Sequence, residues 1–182
     1  MSELDGEDAR DAAEREILAA TVLSVLEEHE IHYEMCTHPP VYTVEEASRL
    51  VPVLPGCKTK NLFLRDKKGK RHFLCVVCAD AKVDLAALSS ALEVNQLSLA
   101  SPERLLKHLG ITPGAVSLLA LVTDKEAHAV ELVVDAKVWK EAAVLCHPKH
   151  NAATLVMSHE SCEQYIAATG HTAKVLDVPV KE

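Results

Sequence analysis

A polar, glycine-containing turn between two apolar runs is the sequence feature that most constrains the fold. Residues 62–64 and 73–77 are apolar, and the segment 65–71 between them is mostly charged and contains Gly69. Two runs of this length on either side of such a turn are typical of a β-hairpin. The hairpin places Lys60 and Asn61 where its first strand begins, so that a cation and an amide can face a substrate. Composition alone favours a plain exposed lysine, since most lysines are exposed.

Length and composition fit one globular domain. The chain has 182 residues, of which 48% are hydrophobic and 25% are charged, and this is enough to bury a sizeable core. No apolar run has the length of a membrane span, and the N-terminus is acidic and does not resemble a targeting peptide. We therefore expect a cytoplasmic protein with no membrane partner. Residues 1–10 are predicted to form an acidic flexible lead-in to a domain over residues 11–182.

The charge of the chain argues against nucleic-acid binding by the whole surface. The formal net charge is −8 at pH 7, so contact with a polyanion needs a local basic patch or a partner that delivers the nucleic acid. The hairpin turn is a candidate patch, although a solvated turn tip explains its charges equally well. The candidate nucleic-acid-binding residues are Lys58, Lys67, Lys68, Lys70 and Arg71.

Cys75 and Cys78 have the spacing of a redox or metal-binding pair, but their context opposes that function. The segment 73–77 is predicted as a strand, and residues three apart on a strand point to opposite faces. No second pair of cysteines or histidines follows at the spacing of a zinc site. We expect small core residues here, reduced as in other cytosolic proteins.

The remaining pattern predicts short strands and helices that do not alternate strictly. Thr43 and Glu46 form a capping box, and Gly110 follows the last residue of a second helix, as is typical of helix ends. Such an order favours a mixed sheet with helices packed around it over a doubly wound fold. Predicted helices span residues 11–28, 44–49, 85–92, 102–109, 135–141 and 159–169. Predicted strands outside the hairpin span residues 31–36, 96–100, 116–123, 129–135, 144–146, 153–156 and 173–177.

Three segments together resemble a known family. Residues 60–64, preceded by 38–43 and followed by 147–154, are similar in order and spacing to the YbaK/ProX family. Its members are aminoacyl-tRNA deacylases related to the editing domain of bacterial prolyl-tRNA synthetases, and the resemblance extends to the freestanding type that clears alanine from tRNA(Pro). It implies a single α+β domain with a curved mixed sheet. It also implies hydrolysis of mischarged tRNA without a metal, cofactor or covalent nucleophile, and prolyl-tRNA synthetase or a multi-synthetase complex as a partner.

The resemblance assigns roles to polar residues. Lys60 matches the family's most characteristic polar residue, and we expect it to position the terminal adenosine phosphate or the ester, a task that suits a point charge on a flexible stem. Asn61 is expected to hold a backbone group or the attacking water. His147 and Asn151 match polar positions that line the family's pocket. His38 is expected to fix the turn at the two prolines that follow it.

Residues 114–118 occupy the position of a glycine-rich family loop that offers backbone N–H groups to the substrate. Gly114 is the candidate catalytic residue of this loop, and Ala115 and Ser117 are candidate substrate contacts. Leu118 stands where the family carries proline, and Ala120 where glycine is common. These departures put the shape of the pocket and the amino-acid specificity in doubt.

Two other functions compete with editing. The departure at Leu118 and the acidic charge favour a degenerate module that docks on a synthetase without catalysis. Cys57 is the candidate nucleophile of a cysteine hydrolase, if Lys58 and Lys60 lower the pKa of its thiol. No histidine and carboxylate arrangement accompanies Cys57 in the sequence.

Overall fold

The computed structural model describes residues 3–181, with side chains for residues 11–43 and 45–181. Within this range six α-helices and one 3-10 helix pack around an eight-stranded sheet. The helices are α1 (Glu3–Glu28), α2 (Val44–Leu50), α3 (Leu85–Ala91), α4 (Pro102–Leu109), α5 (Ala136–Trp139) and α6 (His159–Ala168), and the 3-10 helix spans Leu118–Asp124. The strands are β1 (Glu34–Thr37), β2 (Cys57–Asp66), β3 (His72–Cys78), β4 (Leu97–Leu99), β5 (Val130–Asp135), β6 (Ala143–Cys146), β7 (Ala153–Ser158) and β8 (Ala173–Leu176).

The sheet is mixed, which confirms the predicted α+β class. Its strand order is β1-β7-β6-β2-β3-β5-β8, and β4 pairs with β2 off this path. The pairs β2–β6, β3–β5 and β5–β8 are parallel, whereas β1–β7, β6–β7, β2–β3 and β2–β4 are antiparallel. The predicted hairpin is therefore the pair β2–β3, and it lies in the middle of the sheet.

The central strand β2 has different partners along one of its edges. One edge pairs with β3 from Thr59 to Arg65. The other edge pairs with β6 at residues 57–58 and with β4 at residues 64–66. Between those two partners, the described strands pair with no residue from 59 to 62 on this edge, and the backbone oxygen of Phe63 accepts from Ala100 at 2.9 Å. The opening exposes the part of β2 that carries Lys60 and Asn61.

Two apolar clusters pack on opposite faces of the sheet. Along β3, Leu74 and Val76 belong to the cluster under α1, α4 and α6, while Phe73, Cys75 and Val77 belong to the cluster that includes α3. This alternation is what a strand buried on both faces requires. Cys78 packs against the first cluster and Cys75 lies in the second. The two cysteines thus point apart, which confirms the argument against a paired site.

The structure differs from the predicted elements most clearly at the N-terminus and over residues 116–123, while β1 (Glu34–Thr37) and α5 (Ala136–Trp139) differ from their predicted ends by a few residues. Helix α1 begins at Glu3, so residues 3–10 continue the helix that was predicted to start at Asp11, while residues 1–2 of the predicted lead-in lie outside the described range. The predicted strand 116–123 was wrong, because Leu118–Asp124 is a 3-10 helix. Residues 118–121 are all buried in the same cluster, and a strand would send alternate residues to opposite faces.

Asp124, at the end of the 3-10 helix, anchors the turn into β5. Its carboxylate accepts backbone N–H groups from Ala129 at 3.0 Å and Val130 at 2.8 Å. Nε2 of His171 lies 3.0 Å from the same carboxylate, and the side chains of His171 and Asp124 are 4% and 1% exposed. A buried carboxylate with three partners fixes the geometry of this turn.

Candidate active site

A cavity of about 370 Å³ lies at the opening on the edge of β2. Its walls come from five parts of the chain: residues 41–51 around α2, residues 58–61 of β2, Ala79 after β3, the loop at Gly114 and Val116, and residues 145–154 from β6 to β7. Lys60, Asn61, Gly114 and His147 all contribute to the lining. The fold therefore brings together four of the predicted site residues.

Lys60 and Asn61 are adjacent on β2, so their side chains point to opposite faces of the strand. Lys60 pairs with Val77 and Asn61 with Val76, and these partners belong to different apolar clusters. The Lys60 ammonium donates a hydrogen bond to the backbone oxygen of Ala81. The side-chain oxygen of Asn61 is buried and receives no hydrogen bond from the described residues. The site thus offers an oriented ammonium, and the neighbouring Asn61 oxygen is buried without a hydrogen-bond partner.

Gly114 lines the cavity because its backbone adopts a conformation that suits glycine. Its φ is +92°, a region that residues with a side chain avoid. No atom lies within 4 Å of the position that a Cβ would take, so the backbone and not the space demands glycine. Leu118 is buried in the core and does not belong to the cavity lining. Its replacement of the family proline therefore leaves the cavity open.

Ala115 and Ser117 lie behind the residues that line the cavity, and a substrate contact for either stays a prediction. Ala115 is buried in the core, and Ser117 is only 1% exposed. The Ser117 hydroxyl accepts the backbone N–H of Leu119 at 3.2 Å and so caps the 3-10 helix. Neither residue lines the cavity, whereas Val116, between them, does. Ala115 and Ser117 thus pack on the core side of the loop, away from the cavity.

His147 presents an unprotonated ring nitrogen to the site. Its Nδ1 donates to the backbone oxygen of Ala153 at 3.0 Å, which leaves Nε2 as an acceptor in the neutral ring. Burial lowers the pKa of His147 and the nearby His38 lowers it further, so the ring is neutral at pH 7. Thr154 also lines the cavity, and its hydroxyl is hydrogen-bonded to Nε2 of His38 at 2.9 Å. Thr154 was not among the predicted site residues, although it closes the segment 147–154 that carries the resemblance.

Asn151 contacts the wall of the cavity and not its interior. Its Nδ2 donates to the backbone oxygen of Val41 at 3.0 Å, and the backbone N–H of Val41 donates back to the Asn151 backbone oxygen at 3.1 Å. This pair of bonds fastens the segment before α2 to the loop between β6 and β7. Asn151 therefore helps to shape the cavity, and the substrate contact expected of it stays a prediction.

The basic turn lies at the far end of β2 from the cavity. Lys67, the first residue after the strand, is roughly 20–25 Å from Lys60 at about 3.3 Å per residue. Arg71 is paired with Glu131 through bonds of 2.7 and 2.8 Å, so its charge is largely compensated. Lys67, Lys68 and Lys70 are exposed. Lys58, from the same predicted set, lines the cavity itself. A nucleic-acid role for these residues stays a prediction.

Comparison with known proteins identifies the family. The model of the aminoacyl-tRNA editing domain matches residues 38–165. The prolyl-tRNA editing protein ProX of Acetoanaerobium sticklandii is 40% identical over 157 residues, which cover 86% of this chain and 95% of that protein. This chain belongs to the aminoacyl-tRNA editing domain family. A prolyl-tRNA synthetase associated domain-containing protein of Danio rerio is 38% identical over 141 residues, covering 76% of each chain.

A solved structure supports the fold of this editing domain. It is described as a candidate trans-editing enzyme for prolyl-tRNA synthetase, and it matches with a TM-score of 0.69 over 90% of this chain and 98% of its own, at 21% identity. In the described part of this editing domain, no helix is long and apolar enough to cross a membrane. Across the same residues, no group of three or more histidine, cysteine, aspartate or glutamate side chains is placed to hold a metal ion.

The surroundings of Cys57 oppose a role as nucleophile in this editing domain. Its sulfur lies 4.0 Å from that of Cys78. Burial, followed by Cys78 and the negative charge of Glu141, raises the pKa of the Cys57 thiol to about 12. The thiol is therefore protonated at pH 7, contrary to what the cysteine-hydrolase hypothesis requires.

Substituting Cys57→Ser is expected to leave deacylation nearly unchanged. Because a protonated thiol outside the cavity lining takes no part in acyl transfer, kcat/KM should stay within about twofold of the wild-type value. The measurement is steady-state deacylation of an aminoacyl-tRNA, with circular dichroism as a control for folding. A hundredfold loss of kcat/KM in a folded variant would restore the cysteine-hydrolase hypothesis.

Proposed function

We propose that this chain is a trans-editing deacylase that hydrolyses the ester between alanine and tRNA(Pro). The observation that carries the proposal is the convergence of Lys60, Asn61, Gly114 and His147 on one cavity. The names of the relatives, which refer to prolyl-tRNA editing and to prolyl-tRNA synthetase, support tRNA(Pro) as the carrier.

The chemistry is an acyl transfer to water, which needs positioning and stabilisation of the oxyanion. In the proposed mechanism the Lys60 ammonium, held by the Ala81 carbonyl, orients the ester. Backbone N–H groups of the loop that begins at Gly114 face the developing oxyanion. The exposed ammonium of Lys58, in the same cavity, contacts the terminal phosphate.

Alanine specificity is proposed from the walls of the cavity. Val41 and Val116 are apolar lining residues and suit a methyl side chain. A hydrophobic wall excludes larger side chains by size, whereas one methylene more or less changes binding by only about 1–3 kcal/mol. A synthetase that admits alanine by mistake is thus complemented by a second site that accepts small residues and rejects the cognate amino acid.

We also propose that the enzyme is cytoplasmic, needs no metal and receives its tRNA from a partner. The net charge of −8 gives weak attraction to tRNA as a whole. Association with prolyl-tRNA synthetase, or with a complex that contains it, would bring the substrate to the cavity. The three exposed lysines of the turn after β2 would then add a local contact with the tRNA.

A panel of esters tests this function. Purified protein is incubated with Ala-, Ser-, Cys- and Pro-tRNA(Pro), and the loss of each ester is followed with and without EDTA. We expect the alanyl ester to be hydrolysed at least about tenfold faster than the others, and EDTA to have no effect. Faster turnover of another ester would assign a different substrate to the enzyme. If folded protein hydrolysed none of the esters, the proposed enzymatic activity would be refuted and the docking-module hypothesis would be favoured.

A further inference from the structure

Two half-buried cysteines lie next to each other beside the cavity. The sulfur atoms of Cys57 and Cys78 are 4.0 Å apart, and both side chains are partly exposed. Because a disulfide holds its sulfurs at about 2.05 Å, bond formation needs an approach of about 2 Å. Cys57 begins β2 and Cys78 ends β3, so both lie next to loops, which are more mobile than the interior of a sheet.

The contact between the two thiols follows from the register of the hairpin. Cys78 lies opposite Thr59, two residues along β2 from Cys57. Residues two apart on a strand share a face, so the Cys57 and Cys78 side chains lie on the same side of the sheet. In contrast, Cys146 and Cys162 are 4% and 3% exposed, and the core shields them from an oxidant. Cys57 and Cys78 are thus a close pair that an oxidant can reach.

Two hydrogen bonds connect Cys78 to the ammonium of Lys60. The backbone N–H of Ala81 donates to the backbone oxygen of Cys78 at 3.0 Å, which closes a tight turn after β3. The backbone oxygen of Ala81 accepts from the Lys60 ammonium. Movement of Cys78 towards Cys57 therefore displaces the group that orients Lys60.

We propose that Cys57 and Cys78 form a reversible disulfide, with a peroxide as the oxidant, and that this bond lowers the activity of the enzyme. Disulfides in cytosolic proteins are usually transient and either catalytic or redox-sensing. The effect on activity rests on the proposed function, whereas formation of the bond does not depend on it.

The oxidation has two balanced steps. Burial, followed by Cys78, raises the pKa of the Cys57 thiol to about 12, so we assign the first attack to Cys78. The Cys78 sulfur attacks hydrogen peroxide, the O–O bond breaks, and Cys78 becomes a sulfenic acid while the other oxygen leaves as water with the thiol proton. The Cys57 sulfur then attacks the Cys78 sulfur, and the sulfenic oxygen leaves as a second water with the Cys57 proton. Two electrons pass from the sulfurs to the peroxide, and an excess of a small reducing thiol restores both cysteines.

The test compares thiol content and activity before and after treatment with hydrogen peroxide. The wild-type protein should lose two of its six thiols, and mass spectrometry of a digest should find the peptides of Cys57 and Cys78 linked. Deacylation of the preferred ester should fall by about tenfold to a hundredfold, because a displacement of about 1 Å in a positioned site is enough for such a loss. Dithiothreitol should restore both the thiols and the activity.

Three variants make the comparison specific. Cys57→Ser and Cys78→Ala each remove one partner, and Cys36→Ser is the matched control, because Cys36 is also partly exposed but lies on β1, which two strands separate from β2. All three should be as active as wild type before oxidation. After oxidation, Cys57→Ser and Cys78→Ala should keep their activity and form no link, whereas Cys36→Ser should respond as wild type does. Cys57→Ser should also accumulate a sulfenic acid at Cys78, which dimedone traps.

The two kinds of measurement separate this inference from the proposed function. If the reduced protein hydrolyses no ester, the proposed function fails, and thiol titration and the digest still decide whether the bond forms. The inference would be overturned if wild type kept all its thiols or linked other cysteines. It would also be overturned if linked protein stayed fully active, or if peroxide inactivated Cys57→Ser as much as wild type.

Discussion

Substituting Lys60→Ala is expected to reduce deacylation of the preferred ester by about 10²- to 10³-fold, the loss that follows removal of one preorganised donor at an acyl-transfer site. The Lys60 ammonium is oriented by the Ala81 carbonyl, so little reorganisation precedes the reaction. The loss should appear mainly in kcat, since the contact strengthens as charge develops on the ester oxygen. Single-turnover deacylation with excess enzyme measures it directly. Lys60→Arg should restore little, because a planar guanidinium does not replace a point charge.

Lys174→Ala is the matched control for this experiment. Lys174 is an exposed lysine on β8, three strands away from β2 in the sheet. Its removal changes the net charge by the same amount and should leave kcat unchanged. If Lys60→Ala retained more than a tenth of the wild-type rate while folded, Lys60 would not be a catalytic residue.

Substituting Asp124→Ala is expected to lower the free energy of unfolding by about 3–5 kcal/mol, as for other buried charged groups that lose a partner. Two backbone N–H groups and the buried His171 depend on this carboxylate. Without it, all three donors are left unsatisfied where water has little access. Urea denaturation followed by circular dichroism measures the effect, and the slope of the transition should not change.

Exposed Asp177 provides the comparison for Asp124. Asp177→Ala removes the same charge from the surface and should alter the free energy of unfolding by no more than about 0.5 kcal/mol. Asp124→Asn should fall between the two, because the amide keeps one acceptor oxygen. A loss below about 1 kcal/mol for Asp124→Ala would mean that the turn into β5 is held by other contacts.

Local chemistry made much of the fold predictable from sequence. The capping box of Thr43 and Glu46 and the glycine after α4 mark helix ends in the structure as they do in the sequence, because caps depend on residues only a few positions apart. In the segment 116–123 the cap residue Ser117 is present, but a lone serine before an apolar run does not by itself separate a helix from a strand. A short apolar run fits a strand or a buried helix equally well, and packing against α4 and α1 decides between them.

The candidate site was predictable where a residue's role follows from the backbone. Gly114 lines the cavity in a backbone conformation that suits glycine, and Lys60 lies on the open part of β2. Ala115 and Ser117 lie outside the cavity lining, because the direction of a side chain in a loop depends on the next element, here the 3-10 helix. Thr154 and Tyr42, which also line the cavity, carried no local signal that separates a pocket residue from any other surface residue.

The parallel pairing of β2 with β6 joins two walls of the cavity that are far apart in the sequence. Thr59 donates to the backbone of Leu145, 86 positions away, and such long-range contacts form late because closing the loop between them is slow. The β2–β3 hairpin can assemble on the ribosome while the opposite wall of the cavity has not yet been synthesised. A chain that has formed only this hairpin therefore has Lys60 in place but lacks the wall from residues 145–154, and its site is not enclosed.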